Sequence, residues 1–393
     1  MLLTCALVVG QGESPTAEAE IPPPAPAAPD RWLFMRALQG TWEGWLLDSH
    51  RLQISGWTEA AFTASSDRDN QLPMGFNYRA NEFTLQQNWL RFERPVLTSG
   101  TTSPTFGFRN DWILPGLDYR FTTSRGLFSG QLSASGGAPN EYGVDPVQFY
   151  AEGYFPTIGR GLDVKLGRMF CQYGAEAIDA PSNVLASHSY TFIYDPFTHT
   201  GLMGTLYLTP AFSVQLGIVM GPDVFIDPAA SPYGMFSVKW APPGGRNSVL
   251  VSGLFGKGSF DAAHAFNNPN IIDLVFIHTF NSRLTYTLDA LAGYEANVPS
   301  VGTATWFSAV NYLTWKITPR LSGTARAEFF DDVDGNRTGF AGLYTAFTAG
   351  LNFQPRKGVI FRPEVRYDHN TDSAPFEGRR DLFTAAADLI LRW

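Results

Sequence analysis

The segment VIFRPEVRYDH, residues 359–369, sets Arg362, Glu364, Arg366 and Asp368 at every second position, with Val359, Phe361, Pro363, Val365 and Tyr367 between them. RLSGTARAEFF repeats the arrangement: Arg326 and Glu328 share a set with Ser322, Thr324 and the apolar Phe330, opposite Leu321, Gly323, Ala325, Ala327 and Phe329. In FTAAADLILRW, Asp388 again falls opposite the apolar positions. A period of two puts each set on one face of a β-strand. The chemistry open to these residues is electrostatic. Alternating cations and carboxylates bias which ions or polar molecules come near, or they neutralise one another across adjacent strands and brace a wall.

Other candidates carry less. In DDVDGNR, residues 331–337, Asp332, Asp334 and Asn336 alternate as at the start of a calcium loop, but the distal bidentate glutamate is missing and Asp-Gly is a turn signal. His50, His188, His199, His264, His278 and His369 show no metal-binding spacing, so neither a metal nor a cofactor is expected. No Gly-x-Ser-x-Gly elbow or phosphate loop occurs. A hydrolase would need a Ser–His pair, for which Ser187 and His188 are the residues to test. Cys5 lies in a segment expected to be removed, which leaves Cys171 as a lone structural thiol.

One unit recurs from about residue 50 to the end: some ten alternating residues, then a turn. Strands are expected near 50–63, 82–94, 105–114, 146–156, 162–172, 200–209, 212–221 and 233–241. A second eight follow near 247–256, 271–280, 283–295, 303–317, 320–331, 340–353, 359–369 and 382–393. Tight connections such as TPA at 209–211 and NSR at 281–283 alternate with long ones such as GAEAIDAPSNVLASHSYTFIYDPFTHT.

Soluble strands usually run about five or six residues, whereas a tilted membrane strand needs roughly nine to eleven. Charged residues make up only 16 %, with 38 Gly and 31 Phe, and no stretch reaches the roughly 18 apolar residues of a spanning helix. An Arg or Lys facing hydrocarbon near the midplane costs about 2–4 kcal/mol, so the charged face must line a wet interior. These features predict a transmembrane antiparallel β-barrel over residues 48–393, about 16 strands with a range of 14–18, short turns on one rim and long loops on the other. A soluble all-β carbohydrate-binding fold is the outside alternative. A net charge of -8 and a pI near 5.3 argue against nucleic acid.

Residues 1–12 read as a truncated secretory signal and 13–30 as a Pro/Ala-rich linker. Residues 31–47 break the strand pattern: Phe34, Leu38, Trp42 and Trp45 recur at helical spacing. Such a segment lies on the membrane surface or in the barrel mouth.

At RFERPV, GAEAIDAPSN, YDPFTHTG, RAEFFDDVDGNRTG and FRPEVRYDHN the chain resembles the OmpL-like β-barrel porin family of bacterial outer membranes. QISGWTEAAF also matches that family's Gly-Trp start. The resemblance implies a non-enzymatic channel for passive diffusion of small hydrophilic solutes or ions, with the lipid bilayer and those solutes as partners. A homotrimer would follow porin practice. In general diffusion porins the third long loop folds inward, and by analogy Glu176, Asp179 and Asp195 would approach Arg326, Arg362 and Arg366 across a constriction. Alternatively that loop packs outside or against a neighbouring subunit, with Tyr190, Phe192 and Phe197 as its packing residues.

Phe383, Leu389, Leu391 and Trp393 resemble the terminal signal read by the outer-membrane barrel assembly machinery. The last strand should pair with QISGWTEAAF. Two rival functions stand beside the channel: a structural or adhesive outer-membrane barrel without an open pore, and an outer-membrane barrel enzyme.

Overall fold

Alternation at period two is realised as sixteen long antiparallel strands. In the computed structural model, which describes residues 31–132 and 140–393, the first eight are β1 (Gln53–Ser65), β2 (Phe83–Arg94), β3 (Thr105–Gly116), β4 (Gly143–Phe155), β5 (Leu162–Phe170), β6 (Thr198–Tyr207), β7 (Phe212–Val219) and β8 (Tyr233–Trp240). The remainder are β9 (Asn247–Phe255), β10 (Asn270–Thr279), β11 (Leu284–Val298), β12 (Gly302–Thr318), β13 (Leu321–Asp332), β14 (Gly342–Arg356), β15 (Val359–Asn370) and β16 (Asp381–Arg392). Each strand pairs with its chain neighbours, and β16 pairs with β1 from Trp57↔Arg392 to Ser65↔Thr384. The main chain of Trp393 extends that seam, its N–H donating to the Gly56 carbonyl at 2.9 Å and its carbonyl accepting from Gly56 N–H at 3.0 Å. Closure leaves no strand edge unpaired in lipid, where a bare backbone N–H or C=O would find no water.

The expected strands and the observed ones differ by a few residues at their ends. Two short segments, Arg125–Gly126 and Val224–Ile226, pair in parallel inside the long connections; neither shows a readable alternation. The tight turns have side-chain caps. Thr209 Oγ1 accepts from the N–H groups of Ala211 and Phe212 at 3.1 and 2.9 Å, and Asn281 Oδ1 from those of Arg283 and Leu284 at 2.8 and 3.0 Å. These local bonds reverse the chain without help from the barrel wall. Gly358, with φ +83°, makes the turn between β14 and β15.

Outward positions carry exposed apolar side chains, among them Phe329, Phe347, Leu351, Phe361, Val365, Phe383, Leu389 and Leu391. Inward positions divide by height. Toward the long-loop end they are large and packed: Trp306, Phe330, Tyr344, Phe376 and Leu382 are at most 1 % exposed and share one core with Tyr190. A second core joins Trp57, Trp89, Ile113, Phe192 and Phe197. The lumen is therefore not wet along its whole length, as the charged face had suggested. Toward the short-turn end the inward groups are smaller and polar, such as the partly exposed Thr314 and the buried Thr324, 3.1 Å apart.

Below that end lie two short helices, α1 (Leu33–Ala37) and α2 (Trp42–Ser49), the second capped by Thr41, whose side chain accepts from Gly44 N–H at 3.1 Å. The signal and linker readings, residues 1–12 and 13–30, lie outside the described residues.

Candidate functional site

The connection between β5 and β6 is the third long one, and it enters the barrel. It has no strand or long helix to satisfy its backbone, so its N–H and C=O groups need other partners. The wall provides them. Gly174 N–H donates to Asp273 at 3.0 Å, Ala175 N–H to Asp289 at 2.7 Å, Ala186 and Ser187 N–H to Glu364 at 2.8 and 3.1 Å, and Tyr190 N–H to Glu328 at 2.8 Å. In the other direction, Arg362 donates to the carbonyls of Ala180 and Asn183, both at 2.9 Å, and Arg326 to Ser187 O at 2.8 Å and His188 O at 3.3 Å. Arg366 also donates to His188 O. Gln87 grips Ile178 O at 2.7 Å and Ala180 N–H at 3.2 Å. The loop is bolted to opposite walls at once.

The wall charges also pair with each other. Arg366 lies 3.1 Å from Glu328 and 2.7 Å from Asp368; Arg362 pairs with Asp388 and, at 3.3 Å, with Glu59. Arg326, Arg362 and Arg366 are only 1–2 % exposed. One cavity between this belt and the loop, lined by Glu59, Asn77, Asp118, His188 and Arg362 among others, is about 10 Å³, room for one water at most.

Of the three loop carboxylates expected to face the arginines, one does. Glu176 lies 3.0 Å from Arg326, receives the Tyr312 hydroxyl and sits 2.6 Å from His188 Nδ1. Burial pushes its carboxyl upward, but the His188 bond and the Arg326 charge outweigh it and hold the group at about 2. Asp179 and Asp195 do not join it. Asp179 accepts instead from Ser182, on the stretch near Gln87, while the neighbouring Ala180 offers Arg362 only its backbone carbonyl. Asp195 follows the helical turn Tyr190–Tyr194, on the return to β6; burial, with Asp289 nearby, pushes its carboxyl well above the usual range. The aromatic residues of the loop pack inside the barrel rather than outside it: Tyr190 stacks near Tyr344 at 4.9 Å and Phe192 near Phe76 at 5.3 Å.

Arg326, Glu328, Arg362, Glu364, Arg366, Asp368 and Asp388 all face the interior and are brought together, but against the loop instead of water. Sequence reasoning passed over Glu59, Gln87, Asp273, Asp289 and Tyr312. Asp273 in NIIDLVFIH and Asp289 in LTYTLDALAG were visible as solitary carboxylates in apolar strands. Ser187 and His188 form no hydroxyl–imidazole pair, since Ser187 Oγ accepts from Arg326 at 3.0 Å and His188 turns to Glu176. In DDVDGNR, Asp332 accepts from Thr338 N–H at 2.7 Å, Asp334 from Thr305 N–H at 3.2 Å, and Asn336 donates to Glu295 at 3.2 Å. Their side chains diverge, as in a turn.

Below the belt, β2 to β5 present a second charged set: Arg91 at 2.7 Å from Asp111, Arg109 paired with Glu93, and Lys165 at 3.4 Å from Glu152. These basic side chains are 16 %, 10 % and 13 % exposed. They line the interior on the short-turn side of the belt. A larger groove, about 850 Å³, lies on the outer face between Leu313, Trp315, Leu351 and Val365 and belongs to the lipid-facing surface.

A closed sixteen-stranded barrel, oily outside, charged within and crossed by its third long loop, is the architecture of the outer-membrane porins. The chain belongs to the OmpL-like porin family, whose model, described as "Putative beta-barrel porin-2, OmpL-like", matches residues 51–392. Among solved structures it is similar to the anion-selective porin from Comamonas acidovorans, with TM-score 0.56 and 10 % identity over 87 % of this chain and 99 % of that one. It is also similar to the outer-membrane channel DcaP of Acinetobacter baumannii (0.55, 11 %, covering 87 % and 96 %) and to OmpT of Vibrio cholerae (0.55, 10 %, covering 87 % and 97 %). No curated protein matches the sequence. The chain is thus a non-enzymatic porin of the bacterial outer membrane, its short turns periplasmic and its long loops extracellular.

Proposed function

We propose that this porin passes small hydrophilic solutes and ions by diffusion, and that the Tyr173–Thr200 connection is the barrier they must displace. The burial of Arg326, Arg362 and Arg366 carries the reading: a solute on the short-turn side meets a belt whose donors and acceptors are already engaged by the loop. When the loop shifts, Arg326, Glu328, Arg362, Glu364, Arg366, Asp368 and Asp388 become the pore lining. Glu59, Glu328, Glu364, Asp368 and Asp388 then outnumber Arg326, Arg362 and Arg366, an excess that favours cations over anions.

Bilayer recording of the purified, folded protein under a salt gradient tests this. Stepwise openings with a reversal potential of cation sign are expected. An electrically silent yet heat-modifiable barrel would instead support the structural reading, which the packed lumen also favours.

For assembly, Phe383, Leu389, Leu391 and Trp393 are the residues the barrel assembly machinery would read. Deleting Trp393 should lower the yield of heat-modifiable barrel while leaving the conductance of the folded fraction unchanged. A homotrimer is supported by the outward Thr58 and Asn88, hydrogen-bonded at 3.1 Å on the lipid-facing side of β1 and β2, where a protein neighbour would cover polar groups that hydrocarbon does not. A single-chain mass in the unboiled protein would remove that reading.

A further inference from the structure

Five large apolar side chains crowd the helices beneath the barrel: Leu33 and Phe34 are 60 % and 40 % exposed, Trp42 and Trp45 each 68 %, and Leu46 38 %. Trp42, Trp45 and Leu46 recur at i, i+3 and i+4 and so share one face of α2. Exposed apolar residues are ordinary when scattered singly; a cluster of this kind marks a contact surface.

The packing carries the segment from the barrel mouth to the lipid-facing rim. The Trp32 ring lies over the Arg392 guanidinium at 3.8 Å and near Lys357 at 4.7 Å, hooking the segment onto the periplasmic ends of β15 and β16. Phe34 meets Trp393 edge-on at 6.4 Å. Trp393 in turn lies so close to Gly56 that a Cβ there would stand 2.6 Å from its ring, on the outward face of β1. Arg31 pairs with Asp48 and ties the two helices together. Phe34 thereby makes the helical pair continuous with the lipid-facing girdle, at the height where the strands end.

We propose that α1 and α2 form a foot lying in the periplasmic leaflet of the outer membrane, with Leu33, Trp42 and Trp45 at the boundary between headgroups and acyl chains. Indole rings favour that boundary, and Arg36 and Lys357 beside them supply cations for lipid phosphates. The partner is a phospholipid surface. The foot stands apart from the channel reading, because it is argued from contacts to Lys357, Arg392 and Trp393 at the strand ends.

A nitroxide at position 45 tests it, using Trp45→Cys in the full chain with Cys5 and Cys171 replaced by alanine, folded into vesicles of phosphatidylethanolamine and phosphatidylglycerol. Collisions with oxygen, which concentrates in lipid, should exceed those with a water-soluble nickel chelate several-fold; a label introduced by Glu43→Cys should show the reverse. Nickel-dominated collisions at position 45 would overturn the proposal. So would protection from both reagents, the mark of a second copy or of residues 13–30 covering the face. Should Trp45→Cys fail to fold, quenching of tryptophan fluorescence by brominated lipid decides: Trp42→Phe with Trp45→Phe should lower the quenched fraction, and an unchanged fraction would refute the foot.

Discussion

Two walls of this barrel carry the same sequence pattern and meet different surroundings. On β13 to β1, Arg326, Arg362 and Arg366 alternate with carboxylates and lie buried against the third loop. On β2 to β5, Arg91, Arg109 and Lys165 alternate with Asp111, Glu93, Glu152 and Asp163, and their side chains pair with one another rather than with the loop backbone. Alternation determines which face a charge takes; what that face meets depends on a segment distant in sequence. The energetic consequence is large. An exposed pair contributes about 0–1 kcal/mol, whereas removing one member of a buried set leaves its partner uncompensated at a cost of about 3–5 kcal/mol.

The bolted wall should therefore break first. Arg326→Ala removes bonds to Ser187 and His188 and takes a buried cation away from Glu176 and Glu328. A destabilisation of about 3–5 kcal/mol is expected, read from the urea midpoint of the heat-modifiable band. Single-channel recording should show more frequent or larger openings. Arg109→Ala, on the other wall, removes an ion pair with Glu93 and no bond to the loop, so the midpoint should move by less than for Arg326→Ala. Equal losses for the two variants would abolish the distinction between the walls.

Acid should loosen the same seat. Glu176 is held at about 2 in the seated loop, against an ordinary value of 4.5 once released. A depressed carboxyl stabilises above its released value and loses that contribution as pH falls, so the seat keeps full strength above about pH 4.5 and weakens progressively toward pH 2. The whole effect is about 3 kcal/mol. Conductance should be flat from pH 7 to 5 and rise below that in the parent protein, while Glu176→Gln should conduct more at pH 7 and lose the acid-dependent rise.

Glu364→Gln should have a smaller effect. Its two carboxylate oxygens receive Ala186 and Ser187 N–H separately, and an amide has one oxygen to offer. One N–H is left facing an NH₂ group, at about 1–3 kcal/mol, and opening frequency should rise less than for Arg326→Ala.

Much of the barrel was legible because strand alternation, turn chemistry and the short–long rhythm of connections are local. The inward direction of Arg326, Arg362 and Arg366 followed from hydrocarbon excluding charge. The state of the lumen was not legible. It depends on pairings such as Tyr190 with Glu328 and Ala175 with Asp289, which join segments far apart in sequence and leave no period to read. One sign was nevertheless present: Phe330 falls on the same face as Arg326 and Glu328, and a large aromatic residue on an inward face is out of place in an open channel but natural in a packed one. Asp179 and Asp195 were misplaced for a related reason. Charge type alone suggested they would seek arginines, whereas the loop's path gives Asp179 to Ser182 and leaves Asp195 beside Asp289.

The smallest effect on stability should be the most informative about permeation. Lys165 stands 3.4 Å from Glu152 and 3.9 Å from Asp163, on the short-turn side of the belt. Lys165→Gln removes that charge without setting a third carboxylate against Glu152 and Asp163, which are 9 % and 5 % exposed, so the urea midpoint should fall by less than for Arg326→Ala. The field there does change, and the reversal potential in a salt gradient should shift further toward cations, most strongly at low ionic strength, where the Debye length is longest. Arg366→Gln would first unseat the loop, confounding selectivity with opening. A selectivity shift at Lys165 with a smaller loss of stability, set against coupled changes at Arg366, would show that one wall biases ions while the other holds the barrier.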